Sequence, residues 1–302
     1  MSGIKAHICI CICTFKRPAL LANLLERLAQ QETNKEFDFS IVVADNDCGQ
    51  SARPAVETFG KRLGQSVDYY VEPEQNIALA RNMAVQHARG DFVAFIDDDE
   101  FPTGDWLLQH YHALVRYKVD GVLGPVIPHF ENNPPAWIVK ARLFDRPMHP
   151  TGQILNWRQT RTGNALLRCS VLSDVEGPFR RECGAGGEDR DFFRRVIEKG
   201  RVFAWCQEAP VNEIVPSHRL RRSFQLRRAL LRGQASVAKS GFGPVDILRS
   251  VGASVAYTVA LPILLLLGQH VFMRYLIKDF DHIGKLLAVC GIEAVKEKYV
   301  TE

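Results

Sequence analysis

Short apolar runs alternate with amphipathic stretches over the first hundred residues of the chain. The runs predict strands at 8–13, 39–44, 67–71 and 92–96, and the stretches predict helices at 20–30, 52–63 and 77–88. Each run has the length of a strand, and each stretch repeats its apolar residues at helical spacing. Strands that alternate with helices in this way indicate a layered α/β sheet.

Beyond residue 100 the pattern becomes less regular. It predicts a helix over 106–117, a strand over 121–126, a long irregular loop over 127–160, a strand over 163–168, a helix from about Asp189 and a strand over 201–206. Past residue 218 an arginine-rich segment precedes an uncharged stretch of 18 residues, 251–268. We therefore divide the chain into an α/β domain, 1–218, and a basic and apolar helical region, 219–302.

Composition and charge narrow the class of protein. The chain has 302 residues, of which 46% are hydrophobic and 24% charged, and this excludes a disordered chain or a small disulfide-stapled scaffold. The eight cysteines form no C-x-x-C pair, and we expect reduced thiols and no secretory signal peptide. Residues 1–218 carry 25 basic and 28 acidic residues, a net charge of −3, whereas 219–302 carry 13 and 6, a net charge of +7.

Four consecutive acids, Asp97 to Glu100, directly follow the strand predicted at 92–96. Neighbouring carboxylates repel each other unless a cation lies among them. If the backbone stays extended, Asp97 and Asp99 point to the same side of the strand, at the end of an α/β sheet where ligands bind. The pattern therefore predicts a divalent metal ion held by hard oxygen ligands. The alternatives are a solvated acidic turn and N-caps for the helix predicted at 106–117.

A second acidic group follows a glycine-rich turn and opens the helix predicted from Asp189. Its members are Glu188, Asp189 and Asp191. Taken alone, the group is explained by capping, because acids complement the N-terminal end of a helix.

Four segments occur in a fixed order: TFKRP at 14–18, VVADND at 42–47, NIALARN at 76–82 and FVAFIDDDE at 92–100. Together they resemble the motifs of family 2 glycosyltransferases with the GT-A fold, and GGEDRDFF at 186–193 extends the resemblance to about residue 218. Within that family the chain is similar to bacterial transferases of exopolysaccharide and succinoglycan assembly. The resemblance implies a mixed α/β sheet flanked by helices. It also implies an inverting enzyme that uses Mn²⁺ or Mg²⁺ to move a sugar from a nucleotide-sugar donor to a glycan or polyprenyl-linked saccharide.

The resemblance also assigns a role to each matching residue. The residues placed around the nucleotide are Thr14, Phe15, Arg17, Asp45, Arg81, Asp97 and Asp98. Asp97 would contact the ribose or metal-bound water, Asp99 would ligate the metal ion, and His218 is a further candidate metal ligand. Asp189 is our first choice of general base, followed by Asp191 and Glu188.

The C-terminal region combines apolar helices with positive charge. Residues 251–268 reach only the lower limit for a membrane-spanning helix, Pro262 interrupts them, and basic residues flank both ends. We predict an interfacial or re-entrant helical pair, with 283–295 as the returning amphipathic helix, on the anionic cytoplasmic face of the inner membrane. A helix buried against the α/β domain is the alternative. Ala229 stands where the Q-x-x-R-W motif of processive synthases has Trp, which favours the addition of one sugar.

Two alternatives to a glycosyltransferase remain open: a sugar nucleotidyltransferase and a non-catalytic carbohydrate-binding scaffold. A sugar nucleotidyltransferase normally has a glycine-rich triphosphate loop, and 14–18 contain no glycine. A non-catalytic carbohydrate-binding scaffold has no need for two carboxylate sites. Nucleic-acid binding is not predicted, because the arginine cluster lacks interleaved aromatic residues and a recognisable module.

Overall fold

The computed structural model describes residues 5–63, 67–184, 186–239, 242–293 and 295, and it divides the chain into two compact units. The first unit comprises Met1–Ile127 and Arg146–Glu213, and the second comprises Pro128–Asp145 and Ile214–Glu302. Segment 128–145, which we assigned to the α/β domain on its sequence, thus lies in the second unit.

The described strands are β1 (Ala6–Thr14), β2 (Phe37–Asp45), β3 (Val67–Val71), β4 (Phe92–Ile96), β5 (Glu100–Pro102), β6 (Gly121–Leu123), β7 (Val126–His129), β8 (Asn164–Arg168), β9 (Phe203–Trp205) and β10 (Val211–Ile214). The described α-helices are α1 (Pro18–Leu28), α2 (Arg53–Leu63), α3 (Ile77–His87), α4 (Trp106–Tyr117), α5 (Ala136–Ala141), α6 (Cys169–Ser173), α7 (Glu188–Glu198), α8 (Arg222–Lys239), α9 (Pro244–Leu266) and α10 (Gln269–Val289). Short 3₁₀ helices cover Arg181–Cys183 and Ser217–Leu220.

A mixed seven-stranded sheet forms the centre of the first unit, with the order β3-β2-β1-β4-β8-β6-β9. β1 runs parallel to β2 and β4, whereas β8 runs antiparallel to β4 and β6. Side chains of α1, α2 and α4 cover one face, and side chains of α3, α6 and α7 cover the other. Because both faces are buried, β1 alternates isoleucine and cysteine without a polar side. The predicted mixed α/β sheet is confirmed.

Two predicted elements differ from the structure. The strand predicted at 121–126 is broken, because β6 ends at Leu123 and β7 begins at Val126. A Cβ atom on Gly124 would lie 2.3 Å from the Ala209 carbonyl oxygen, so the backbones approach too closely there for a side chain. The segment predicted as an irregular loop, 127–160, contains part of β7 and all of α5. β7 belongs to a second sheet with the order β5-β10-β7.

In the second unit, α10 packs against α5, α8 and α9. Gly284 allows α10 to approach α8, since a Cβ atom there would lie 2.4 Å from the Leu230 carbonyl oxygen. On its other side, the buried Asp279 carboxylate accepts hydrogen bonds from the hydroxyls of Ser254 and Thr258 on α9. The helices thus share polar contacts as well as apolar ones.

The apolar helix α9 corrects two predictions. Pro262 does not interrupt it, because the helix continues from Pro244 to Leu266. The returning helix covers Gln269–Val289 rather than 283–295, and residues 294 and 296–302 lie outside the described part of the chain. By length and composition alone, α9 is the one described helix able to cross a membrane, and Ser250 is its only buried residue in the structure.

Candidate active site

The four consecutive acids form a tight turn at the carboxyl end of β4. The Glu100 backbone N–H donates to the Asp97 carbonyl oxygen over 3.1 Å, and Glu100 Oε2 accepts from the Asp97 backbone N–H at the same distance. The prediction that Asp97 and Asp99 share one side of an extended strand is therefore wrong. These reciprocal bonds reverse the chain between β4 and β5, although the acids do lie at the predicted end of the sheet.

Charge is concentrated in this acidic turn. Asp98, Asp99 and Glu100 are buried, whereas the side chain of Asp97 is 44% exposed. Burial, together with the charges of Asp97 and Asp98, raises the pKa of Asp99 to about 7. Burial also raises the pKa of Asp98 and of Glu100. Glu100 Oε1 is buried with no hydrogen-bond partner among the described residues. The turn therefore holds more carboxylate than its neighbours satisfy.

The loop between β1 and α1 supplies the nearest donors. Thr14 Oγ1 donates to Asp98 Oδ2 over 2.7 Å. The Arg17 guanidinium donates to Asp98 Oδ1 at 3.1 Å and to Asp99 Oδ2 at 3.2 Å. The loop also contains Phe15, which is partly exposed. Thr14 and Arg17, which we assigned to the nucleotide site, thus contact the acidic turn directly.

Asp45 ends β2 and is fully buried. Its Oδ2 accepts from the Tyr69 hydroxyl at 2.7 Å and the Ala52 backbone N–H at 2.9 Å, and its Oδ1 accepts from the Asp47 backbone N–H at 3.0 Å. Burial and this carboxylate raise the pKa of Tyr69. In the structure Asp45 anchors the loop after β2, and its predicted place at the nucleotide stays a prediction.

Arg81 connects the acidic turn at 97–100 to the second acidic group at 188–191, which is distant from it in the sequence. It lies on α3, whose first backbone N–H groups are capped by Asn76. The buried Arg81 guanidinium donates through Nη2 to Asp97 Oδ1 at 3.2 Å and through Nη1 to Glu188 Oε1 at 2.9 Å. Nη1 also donates to Thr162 Oγ1. No sequence pattern singled out Thr162, because it lies in a stretch without periodicity.

The second acidic group sits at the start of α7, after Gly187 with a φ of +87°. Glu188 is 4% exposed, and burial raises its pKa despite the opposing charge of Arg81. Asp191 is held by the guanidinium groups of Arg195, at 2.8 Å, and Arg180, at 3.5 Å. Asp189 is partly exposed, and its Oδ1 accepts from the Arg190 backbone N–H at 2.7 Å. The three candidate bases thus have three different environments.

The carboxylate oxygens of the acidic turn suit a divalent cation whose other ligands come from a substrate. Among the described residues, no group of three His, Cys, Asp or Glu side chains could hold a metal ion alone. Mg²⁺ and similar ions commonly use one or two carboxylates together with substrate phosphates. The half-exposed Asp97 suits that mode of binding, and Asp99 lies two residues further along the same turn, where its Oδ2 accepts from Arg17.

His218 lies in the second unit, within the 3₁₀ helix Ser217–Leu220. Its ring packs edge-on against Phe224, with 5.3 Å between the ring centroids. Its role as a metal ligand stays a prediction.

The acidic turn lies at the end of a central parallel strand, where the resemblance to glycosyltransferases with the GT-A fold places it, and Arg81 links it to a carboxylate on α7. The comparisons with known proteins agree. Residues 9–176 match the model of the family named Glycosyl transferase family 2, and the chain belongs to this family. It is 30% identical to the succinoglycan biosynthesis protein ExoM of Rhizobium meliloti (strain 1021), over 98% of this chain and 97% of that protein.

Solved structures show the same fold. Staphylococcus aureus TarS 1-349 in complex with UDP-GlcNAc matches with a TM-score of 0.56 and 15% identity, over 97% of this chain and 93% of that one. The mannosyltransferase PcManGT of Pyrobaculum calidifontis, in complex with GDP-Man and Mn²⁺, matches with a TM-score of 0.61 and 17% identity, over 94% and 88%. The predicted GT-A fold and glycosyltransferase class are confirmed.

Proposed function

We propose that the chain transfers one sugar, with inversion, from a nucleotide-sugar donor to a glycan or polyprenyl-linked saccharide in bacterial surface or exopolysaccharide synthesis. The observation that carries this proposal is the Arg81 bridge, which places a helix-borne carboxylate group beside the acidic turn. The similarity to ExoM, a succinoglycan biosynthesis protein, supports the pathway class. The nucleotide sugars bound by TarS and PcManGT support the donor class.

Asp97 and Asp99 are the residues we propose to hold Mn²⁺ or Mg²⁺. When bound, the ion would offset the negative charge that develops on the leaving diphosphate. The chain itself keeps the carboxylates together through Arg17 and Thr14, which donate to Asp98 and Asp99. Arg17 thereby lowers the repulsion within the turn.

Asp189 is the general base in this proposal. Glu188 is tied to Arg81, and Asp191 is tied to Arg195. Asp189 is partly exposed, and its Oδ2 accepts no hydrogen bond from any described residue. As the acceptor hydroxyl oxygen bonds to the anomeric carbon and the bond to the diphosphate breaks, Asp189 takes the hydroxyl proton. No covalent enzyme intermediate is required.

A thermal-shift panel tests the donor site. Purified full-length protein is heated with UDP, GDP and dTDP sugars, each with Mn²⁺ and with excess EDTA. We expect one nucleotide class to raise the Tm, and only with the metal ion, because bound ligand stabilises the folded state. Asp99→Asn should lose this shift, and Asp38→Asn, which removes an exposed carboxylate paired with Lys5, should keep it. A panel without any metal-dependent shift would contradict the proposal.

The assignment of the base is tested with three isosteric variants. Asp189→Asn should abolish sugar transfer while the nucleotide-induced shift persists, whereas Asp191→Asn should retain transfer. Glu188→Gln should lower transfer indirectly, because Glu188 holds Arg81 and Arg81 in turn contacts Asp97 and Thr162. Transfer by Asp189→Asn at the wild-type rate would move the base to another residue.

We also propose that α9 attaches the chain to an anionic membrane surface, on the cytoplasmic face of the inner membrane. Large apolar side chains recur every three or four residues along the helix and are exposed: Leu248, Val251, Val255, Val259, Ile263 and Leu266. Ser254 and Thr258 instead contact α10. The net charge of +7 over 219–302 suits anionic lipid headgroups.

Vesicle flotation tests this attachment. The protein should float with vesicles that contain phosphatidylglycerol and much less with pure phosphatidylcholine. The double variant Val255→Ser, Val259→Ser should stay at the bottom of the gradient, and Val115→Ser, which changes an exposed valine on α4, should float as wild type. Flotation of the double variant at the wild-type level would contradict the role of α9.

A further inference from the structure

The first unit contains a cavity that the proposed reaction has not used. One part of its wall is apolar and another part is basic, and the residues that define them are Leu123, Val126, Trp205, Arg146, Arg158 and Arg161. Its volume is about 80 Å³. One buried water needs a cavity of roughly 10–15 Å³, so this cavity can hold a group the size of several waters.

The cavity adjoins the acidic turn through the segment 161–164. Arg161 and Asn164 line the cavity, whereas Thr162 accepts a hydrogen bond from Arg81. A Cβ atom on Gly163 would lie 3.0 Å from Glu100 Oε1 and 3.1 Å from Asp97 Oδ2. One short stretch of chain thus separates the cavity from the carboxylates of the proposed reaction.

Arg161 is the notable member of the basic wall. Arg146 is paired with Glu213, and the Arg158 guanidinium lies 4.2 Å from the centre of the Trp157 ring. The Arg161 side chain is partly buried, yet it makes no hydrogen bond or ion pair with any described residue. Burial, and then the nearby charges of Arg146 and Arg190, lower the pKa of Arg161 against the opposing charges of Asp189 and Glu213. A partly buried cation without a partner is costly, and an anion would offset that cost.

We propose that this cavity binds an acidic group of the acceptor saccharide, a carboxylate or a phosphate, with Arg161 as its main contact. The planar guanidinium can donate two parallel hydrogen bonds to either group. Asp189, the proposed base, is among the carboxylates whose charge acts on Arg161. An acceptor held there would therefore lie on the side of the base. The identity of the ligand as an acceptor rests on the proposed function.

The experiment uses ligand-observed NMR on the full-length protein, with saturating UDP and Mn²⁺, or GDP and Mn²⁺ if GDP gives the larger thermal shift. The probes are methyl glucuronide, glucose 6-phosphate and the neutral methyl glucoside. We expect at least one acidic probe to bind, and to bind more tightly than the glucoside. Arg161→Gln should weaken its binding by about tenfold or more, as expected for loss of a charge-assisted contact. Arg161→Lys should retain part of it. Arg89→Gln, which changes a guanidinium that contacts carbonyl oxygens of its own helix end, should leave it unchanged.

The two acidic probes distinguish a carboxylate from a phosphate ligand. Equal binding of the neutral glucoside, or acidic binding that Arg161→Gln leaves intact, would overturn the proposal. Displacement of the acidic probe by the nucleotide would also overturn it, since Arg161 would then serve the donor. If neither acidic probe binds while the nucleotide does, the cavity proposal fails and the proposed function stands. If an acidic probe binds while no nucleotide does, the cavity binds an acidic group and the proposed function fails.

Discussion

Replacement of Arg81 by methionine tests whether the bridge between the two acidic groups is structural as well as functional. The side chains of Arg81 and Glu188 are 9% and 6% exposed, so the ion pair is buried. Removing one partner of such a pair leaves an uncompensated charge and typically costs about 3–5 kcal/mol. Because burial already raises the pKa of Glu188, the carboxyl can take up a proton in the variant. We therefore expect the lower end, about 3 kcal/mol.

A double-mutant cycle separates the pair from its surroundings. Arg81→Met, Glu188→Met and the combined variant are unfolded with urea and followed by circular dichroism at pH 7. The combined variant leaves no buried charge in the pair, so we expect it to recover about 2 kcal/mol relative to the sum of the single variants. Sugar transfer should be lost in Arg81→Met and in the combined variant, because Thr162 and Asp97 also lose their partner in both.

A surface ion pair on α7, the helix that carries Glu188, provides the control. Arg194 and Glu198 are each 58% exposed, and Glu198→Met should leave the unfolding transition unchanged. Our reasoning is refuted if Arg81→Met is as stable as wild type, or if the combined variant is as unstable as the two single effects added together.

Three further predictions concern stability. Burial lowers the pKa of His110 from 6.5 to about 4, so the unfolded state alone takes up this proton between those values. His110 should therefore contribute a fall of about 1.4 kcal/mol per pH unit in the free energy of unfolding by urea as the pH drops from 6.5 to 4, measured as the difference in slope between wild type and His110→Gln; equal slopes in the two proteins would contradict it. Asn164 joins the side chains of Trp106 and His110 to two backbone carbonyls, and Asn164→Leu should cost more than about 3 kcal/mol in the same assay. Gly284→Ala should lower the Tm because its Cβ meets the α8 backbone, whereas Gly252→Ala, with open space around it, should not; equal Tm values would contradict this packing.

Strands and helices whose ends are marked by nearby residues could be predicted from the sequence. The strands at 67–71 and 92–96 and the helix at 106–117 have the predicted bounds, because apolar periodicity and the flanking turns mark both ends. The acids at the end of β4 were likewise visible in the sequence, since a charged run directly follows a buried strand.

Contacts between distant segments were not predictable in the same way. β8 enters the sheet antiparallel between β4 and β6, and this pairing places Asn164 opposite Ile96. Nothing in the local pattern around Thr162 announces its contact with Arg81. Similarly, the prediction for Asp97 and Asp99 assumed an extended backbone. The reciprocal bonds of Glu100 that turn the chain could not be predicted, because they depend on the burial of its side chain.

The Arg81 bridge also has a consequence for the order of folding. Arg81 and Asp97 are 16 residues apart, whereas Arg81 and Glu188 are 107 residues apart. Closing the longer loop costs more chain entropy and depends on contacts that form between distant segments. We therefore expect the β1–β4 half of the sheet, with its acidic turn, to become ordered before α7 docks. In refolding followed by hydrogen exchange, the β1–β4 half would then become protected first, and transfer activity would return only with the later docking of α7.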